Sequence, residues 1–130
     1  MPRPDYTPSD IHAPKYPVSI KGVVEVNGKI VLLENDRDEW ELPGGKLEGE
    51  EDPEQCVERE ILEELGIETR AQSLLDVWVY DVLGKVKVLI VTFAMRPIDG
   101  DVPMQVSHEH KTIRRFEYEE IASLNMPAGY

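Results

Sequence analysis

The chain has 130 residues, of which 41% are hydrophobic, and a formal net charge of −12 at pH 7. This length predicts one globular domain with a sizeable core, and the acidic balance excludes binding to a nucleic-acid polymer, which needs clustered Lys and Arg. No hydrophobic run is long enough to span a membrane, and the single cysteine, Cys56, excludes an internal disulfide.

Residues 1–17 are rich in proline and polar side chains and lack the apolar stretch of a secretion signal, which predicts a cytoplasmic protein. We interpret them as an extended N-terminal arm that precedes a single domain over residues 18–130. The arm could pack across a neighbouring subunit, giving a homodimer, or cover a bound substrate. A loosely ordered terminus is the simplest interpretation.

The domain begins with a predicted β-hairpin, Val18–Val26 and Lys29–Glu34, joined by Asn27-Gly28. The loop after it contains Arg37 and Trp40, side chains that could bind a phosphate and stack on a base. A position in the core is the more common role for a single aromatic residue.

Paired glycines, Gly44 and Gly45, follow Leu42-Pro43. Such a pair lets the backbone turn sharply and come close to a metal or a phosphate, although a plain turn is the more common explanation of an isolated Pro-Gly-Gly. The next residue, Lys46, is interpreted as an exposed loop lysine that could contact a phosphate.

A helix is predicted next, with Asp52 as N-cap, Pro53 at the first position and Gly66 at its end. One apolar stripe should face the core and consists of Val57, Ile61 and Leu65. Cys56, in the same helix, is interpreted as a packing residue.

Three acids on this helix occupy an unfavourable place. Glu60, Glu63 and Glu64 lie near the C-terminal end, where the helix dipole is negative, and Glu60 and Glu64 repel each other as an i,i+4 pair. A divalent cation with oxygen ligands would relieve this repulsion, so the pattern predicts a metal site.

These residues match every specified position of the Nudix box, G-x5-E-x7-R-E-U-x-E-E-x-G-U, in which U is a bulky aliphatic residue. The matching positions are Gly45, Glu51, Arg59, Glu60, Ile61, Glu63, Glu64, Gly66 and Ile67. The chain therefore resembles the MutT-like branch of the Nudix hydrolase family. The resemblance implies an α+β fold, the Nudix-type α/β/α sandwich with a mixed central sheet.

The activity that the resemblance implies is hydrolysis of a phosphoanhydride bond in small nucleoside diphosphate-X compounds, with Mg²⁺ or Mn²⁺ as cofactor. Nucleoside triphosphates are the favoured substrates, and nucleotide sugars or ADP-ribose are the alternative. A nucleotide sensor without catalysis and an acidic interaction surface without metal are the competing classes.

The resemblance also implies roles for single residues. Glu60 and Glu64 would be the main metal ligands, with Glu63 and the Gly44 carbonyl as further ligands. Arg59 would hold Glu51 or Glu60 in position. The base that acts on water is either Glu60 or a carboxylate from a later loop.

Another hairpin is predicted in the second half of the chain, over residues 72–82 and 85–95. Trp78 and Tyr80 alternate along its first strand, and Tyr80 is a candidate substrate contact. Ser107-His108-Glu109-His110 follows, and similar proteins make Glu109 the candidate late-loop ligand or base. Two histidines without a third ligand make a weak zinc site. A strand over residues 111–116 and a short helix over 118–124 complete the prediction.

Overall fold

The computed structural model describes residues 14–35, 38–98 and 112–117, and the architecture below is that of these residues. They form seven strands and one helix: β1 Val18–Val26, β2 Lys29–Glu34, β3 Trp40–Glu41, β4 Gly44–Lys46, α1 Pro53–Leu65, β5 Thr69–Val82, β6 Val86–Pro97 and β7 Thr112–Phe116. No helix in these ranges is long and apolar enough to cross a membrane.

The strands form a mixed sheet in the order β3-β2-β1-β6-β5, with β4 paired to β1 and β7 paired to β2. The pair β1 and β6 is parallel, and the other pairs are antiparallel. The predicted mixed sheet is therefore confirmed. The predicted helix over residues 118–124 and most of the N-terminal arm lie outside the described residues.

Both predicted hairpins are present. The turn between β1 and β2 places Asn27 and Gly28 at φ 53° and 79°, the left-handed conformation that an Asn-Gly turn provides. In the second hairpin, β5 begins three residues earlier than predicted and β6 ends two residues later, because Thr69 pairs with Pro97 and Arg70 with Arg96.

Two short strands, β3 and β4, were not predicted from the sequence. Trp40 was expected in a loop but belongs to β3, where it pairs with Glu34, and Gly44 and Gly45 form β4 opposite Lys21 and Ile20. Glycine is depleted in strands, and the partner of β4 is distant in sequence, so no local pattern revealed this pairing.

The hydrophobic core lies on both faces of the sheet. Helix α1 covers one face with its predicted stripe, and Val57, Ile61 and Leu65 are fully buried. Side chains alternate along β2, so Val31 and Leu33 join that core while Ile30 and Leu32 pack on the opposite side with Phe116. This packing fixes the rotation of the helix about its own axis where it lies against β1 and β4.

Candidate active site

The ends of α1 are set by its capping residues, as the sequence predicted. The backbone N–H of Asp52 donates to the Gln55 side-chain oxygen at 2.9 Å. At the other end, Gly66 is left-handed at φ 74° and its N–H donates to the Leu62 carbonyl at 2.9 Å. With both ends and the apolar stripe fixed, the positions of the acidic side chains around the helix are fixed too.

The three glutamates differ strongly in burial. Glu64 is only 2% exposed, the Glu60 side chain is 14% exposed and that of Glu63 is 57% exposed. Glu60 and Glu64 are one helical turn apart and share the side that faces the glycine pair, whereas Glu63 is rotated toward solvent. The acidic face thus runs from the core to the surface, and its inner part consists of Glu60 and Glu64.

The two glycines of β4 allow this close approach. The Glu64 carboxylate accepts a hydrogen bond from the Gly44 N–H at 2.8 Å. A Cβ atom on Gly45 would lie 2.4 Å from the Glu60 carboxyl carbon, and one on Gly44 would lie 2.0 Å from the Ile20 carbonyl oxygen. Gly44 also has φ 147°, which side chains rarely adopt. The Gly44 N–H makes this contact with Glu64, and the Gly44 carbonyl stays a predicted metal ligand.

Arg59 connects the acids around it. Its guanidinium donates to both oxygens of Glu51, at 2.7 and 3.0 Å. The Nη1 atom lies 3.1 Å from Glu60 and 3.3 Å from Glu63, and Nη2 lies 3.8 Å from Glu48. A bidentate contact has defined geometry, so Arg59 is held by Glu51 and in turn restrains Glu60.

This arrangement shifts the pKa values of Glu51 and Arg59. The hydrogen bond from Arg59 lowers the pKa of Glu51 from its ordinary value of 4.5 to about 2. The same contact raises the pKa of Arg59. Both groups are therefore charged throughout the neutral range.

The donor chemistry fits a hard divalent cation. One guanidinium lies among several carboxylates, so the site carries surplus negative charge, and its donors are oxygens, as Mg²⁺ and Mn²⁺ prefer. Among the described residues, no group of three or more His, Cys, Asp or Glu side chains is already gathered as a metal cage. Mg²⁺ keeps several waters and needs few protein ligands, so two carboxylates beside a backbone turn suffice in number.

Cys56 lies behind the glycine pair and is fully buried. Its thiol donates to the Lys46 carbonyl at 3.4 Å. Burial raises the pKa of the thiol to about 12, which leaves it protonated and unreactive at neutral pH. The structure agrees with a packing role.

The other residues named from the sequence lie apart from this centre or outside the described part. Lys46 is exposed at the end of β4. Trp40 packs edge-on against Phe116, with ring centroids 5.0 Å apart, and Tyr80 stacks on Trp78 at 5.4 Å. Arg37 and Glu109 lie outside the described residues. Lys21 was not predicted from the sequence, and the available signal was a lysine that follows Ile20 in a largely apolar strand.

The family model of the NUDIX domain matches residues 15–130. The chain therefore belongs to the Nudix family, and the glycine-and-glutamate centre between β4 and α1 is the Nudix box of its sequence. A MutT-like protein from Streptomyces ambofaciens is 36% identical over 89 residues, which cover 67% of this chain and 56% of that protein.

An 8-oxo-dGTP diphosphatase from Proteus vulgaris is 52% identical over 42 residues, covering 32% of this chain and 38% of that protein. The matches thus span about half or less of these relatives' own lengths. Among solved structures, a MutT protein from Methanosarcina mazei Go1 superposes with a TM-score of 0.75 at 27% identity, covering 87% of this chain and 86% of that one. This likeness confirms the expected Nudix-type sandwich.

Proposed function

We propose that the protein is a metal-dependent pyrophosphohydrolase that acts on nucleoside triphosphates. The observation that carries the proposal is the pair Glu60 and Glu64, which meet the backbone of Gly44 and Gly45 within a surplus of negative charge. The similarity to a MutT-like protein and to an 8-oxo-dGTP diphosphatase supports a nucleotide as substrate.

The cofactor would be Mg²⁺ or Mn²⁺, held mainly by Glu60 and Glu64, with Glu63 and the Gly44 carbonyl as further ligands. When bound, such an ion neutralises phosphate oxygens and lowers the pKa of the attacking water. The chain's own part is to hold these carboxylates at the glycine pair before the substrate arrives. Water then adds across a P–O–P bond of the triphosphate, giving pyrophosphate and a nucleoside monophosphate.

Arg59 acts as a positioning residue in this proposal. Its Nε and Nη2 atoms are occupied by Glu51, and Nη1 by Glu60 and Glu63, so the guanidinium is committed to protein carboxylates. Glu60 and Glu109 both stay candidates for the base that accepts the proton of water. Arg37, Trp40, Lys46 and Tyr80 stay candidate substrate contacts.

The test is a hydrolysis screen with Mg²⁺ or Mn²⁺ over nucleoside triphosphates, including 8-oxo-dGTP, with nucleotide sugars and ADP-ribose as alternatives. We expect metal-dependent release of pyrophosphate from triphosphates. A preference for a nucleotide sugar or ADP-ribose would move the substrate to the alternative class. Binding without hydrolysis of any compound would indicate a sensor and contradict the proposal.

We further propose that the protein forms a homodimer, for which the second hairpin offers a surface. Strand β5 ends the sheet order of the described strands, and its apolar side chains are unusually exposed. Leu74, Leu75, Val77 and Val79 are exposed by 46–56%, and Leu83 at the turn is 86% exposed. An exposed apolar edge strand favours pairing with a second copy. Light scattering on the purified protein should give twice the chain mass, and a monomeric mass would contradict this.

A further inference from the structure

Within the described residues, Lys21 is a buried lysine with little to balance its charge. It lies in the middle of β1, and only 9% of its surface is exposed. Its ammonium donates to the Leu42 carbonyl at 3.3 Å, and this is the hydrogen bond that it makes within the described residues. An ammonium group has three donors, so two of them are not used by this part of the protein.

The described part of the fold does not by itself explain such a residue. Lysine is rarely buried unless it is paired, because an ammonium loses its hydration in the interior. One long hydrogen bond to a neutral carbonyl compensates little of that loss, and an apolar side chain of the same length would be easier to bury. The position is therefore better suited to receiving an oxygen acceptor than to stabilising the fold.

The location of Lys21 connects it to the candidate active site. It pairs with Gly44 across the β1–β4 ladder, and Gly44 is the residue whose N–H binds Glu64. The neighbouring Gly22 N–H donates to the Pro43 carbonyl at 2.9 Å, so β1 follows the same turn closely. The ammonium thus lies beside the residues that lead into β4 and its glycine pair.

The side chain leaves β1 on the face opposite α1. Ile20 and Val24 belong to the core under the helix, whereas Val23 packs against the second core cluster. Lys21 has the same parity as Val23 and reaches Leu42, which packs against that second cluster as well. Lys21 is therefore on the other side of β4 from Glu64, where a nucleotide whose phosphates meet the glutamates could extend.

We propose that Lys21 is a substrate-contacting residue whose ammonium donates to an oxygen acceptor of the bound nucleotide. This inference rests on the proposed function, since it takes the glutamates as the phosphate-binding end. The acceptor is either a carbonyl oxygen of the base or an oxygen of the phosphate chain. Both are oxygen acceptors, and substrate series can separate them.

The first experiment compares Lys21→Met with Lys29→Met by thermal unfolding without ligand. Methionine retains most of the stem and removes the charge, and Lys29 is a half-exposed lysine on the neighbouring strand, paired with Glu117 at 3.9 Å. We expect the melting temperature of Lys21→Met to equal or exceed that of the wild type, with Lys29→Met unchanged. A lower melting temperature together with normal nucleotide binding would make Lys21 an anchor for Leu42 and overturn the proposal.

The second experiment measures nucleotide binding without turnover, using triphosphate analogues in which methylene groups replace the bridging oxygens. We expect Lys21→Met to weaken binding about tenfold or more, as loss of a charge-assisted hydrogen bond predicts, and Lys29→Met to bind normally. A loss confined to bases with a ring carbonyl, compared with adenine, would assign the base, and an equal loss for all bases would assign the phosphates. Unchanged binding by Lys21→Met, or no nucleotide binding by the wild type, would overturn the proposal.

Binding and turnover also separate this inference from the proposed function. A wild type that binds the analogues through Lys21 but hydrolyses no nucleotide would disprove the enzyme and retain the contact. A wild type that hydrolyses triphosphates but binds the analogues no more tightly than Lys21→Met does would support the enzyme and disprove the contact.

Discussion

Glu64 combines two roles that substitutions can separate. It is 2% exposed and accepts the Gly44 N–H, and in our proposal it also holds the metal. Glu64→Gln keeps an acceptor for Gly44 and removes the charge, so we expect an intact fold of equal or higher stability. Hydrolysis should fall by about 100-fold or more, because a metal ligand is lost.

Glu64→Ala is the matched comparison, because it also leaves the Gly44 N–H without its acceptor. We expect an additional loss of about 1–3 kcal/mol in the free energy of unfolding. Denaturant unfolding and steady-state rates measure the two effects. Full activity in Glu64→Gln would show that Glu64 is not a metal ligand.

The Glu51–Arg59 contact makes stability depend on acid pH. Because the pKa of Glu51 falls from 4.5 to about 2 on folding, its contribution is fully present above about pH 4.5 and is lost as the pH falls toward 2. We expect the free energy of unfolding to decline in this window, and to decline less in Glu51→Gln. Chemical unfolding at a series of pH values tests this, and parallel profiles for the two proteins would contradict the assignment.

At the residue scale, the spacing of the box predicted the glutamates, Arg59 and the glycines as site residues, and the structure brings them together. It did not distinguish buried Glu64 from exposed Glu63, because that difference depends on which side of the helix meets β4. The burial of Lys21 was not predictable either, because it follows from strand pairing between distant parts of the chain.

At the scale of elements, the contact between β4 and α1 leads to a prediction for substitution of Gly45. A Cβ atom on Gly45 would lie 2.4 Å from the Glu60 carboxyl carbon, so Gly45→Ala must displace that carboxylate. We expect metal-dependent hydrolysis to fall about tenfold or more while the fold persists, since a displaced ligating group costs roughly that much.

Gly49→Ala is the control for this substitution. Gly49 lies in the neighbouring loop at φ 47°, and its Cβ would meet nothing within 4 Å. It should lower stability by about 1 kcal/mol through backbone strain and leave the rate largely unchanged. Equal rates for Gly45→Ala and the wild type would show that β4 does not set the position of Glu60.

Elements with strong local signals were predictable from the sequence. Helix α1 has caps at both ends and an apolar stripe, and the first hairpin has its Asn-Gly turn. Strands β3 and β4 have two and three residues, and each exists only through a partner elsewhere in the chain. Short elements of this kind have no periodicity to detect.

At the scale of the whole molecule, the mixed sheet was expected both from the predicted elements and from the family resemblance, but the order of its strands was not predicted. The parallel pairing of β1 with β6 joins segments about 70 residues apart and depends on packing that local patterns do not encode. The exposed apolar surface of β5 likewise became visible only when the sheet order was known. The cytoplasmic location expected from the sequence stays a prediction.

In the proposed function, the net charge of −12 gives the metal a second role, which concerns the whole molecule. An anionic nucleotide is repelled by an acidic protein unless cations reverse the potential in the binding cleft. Mg²⁺ should therefore promote nucleotide binding as well as hydrolysis.

The most direct test of the account is calorimetric titration of Mn²⁺ into the wild type and into Glu60→Gln/Glu64→Gln, each with a non-hydrolysable nucleoside triphosphate present. The account predicts saturable Mn²⁺ binding to the wild type beyond the binding by nucleotide alone, and its loss in the double variant. Absence of protein-dependent binding in the wild type, or equal binding in both proteins, would contradict the claim that these two glutamates hold the catalytic metal.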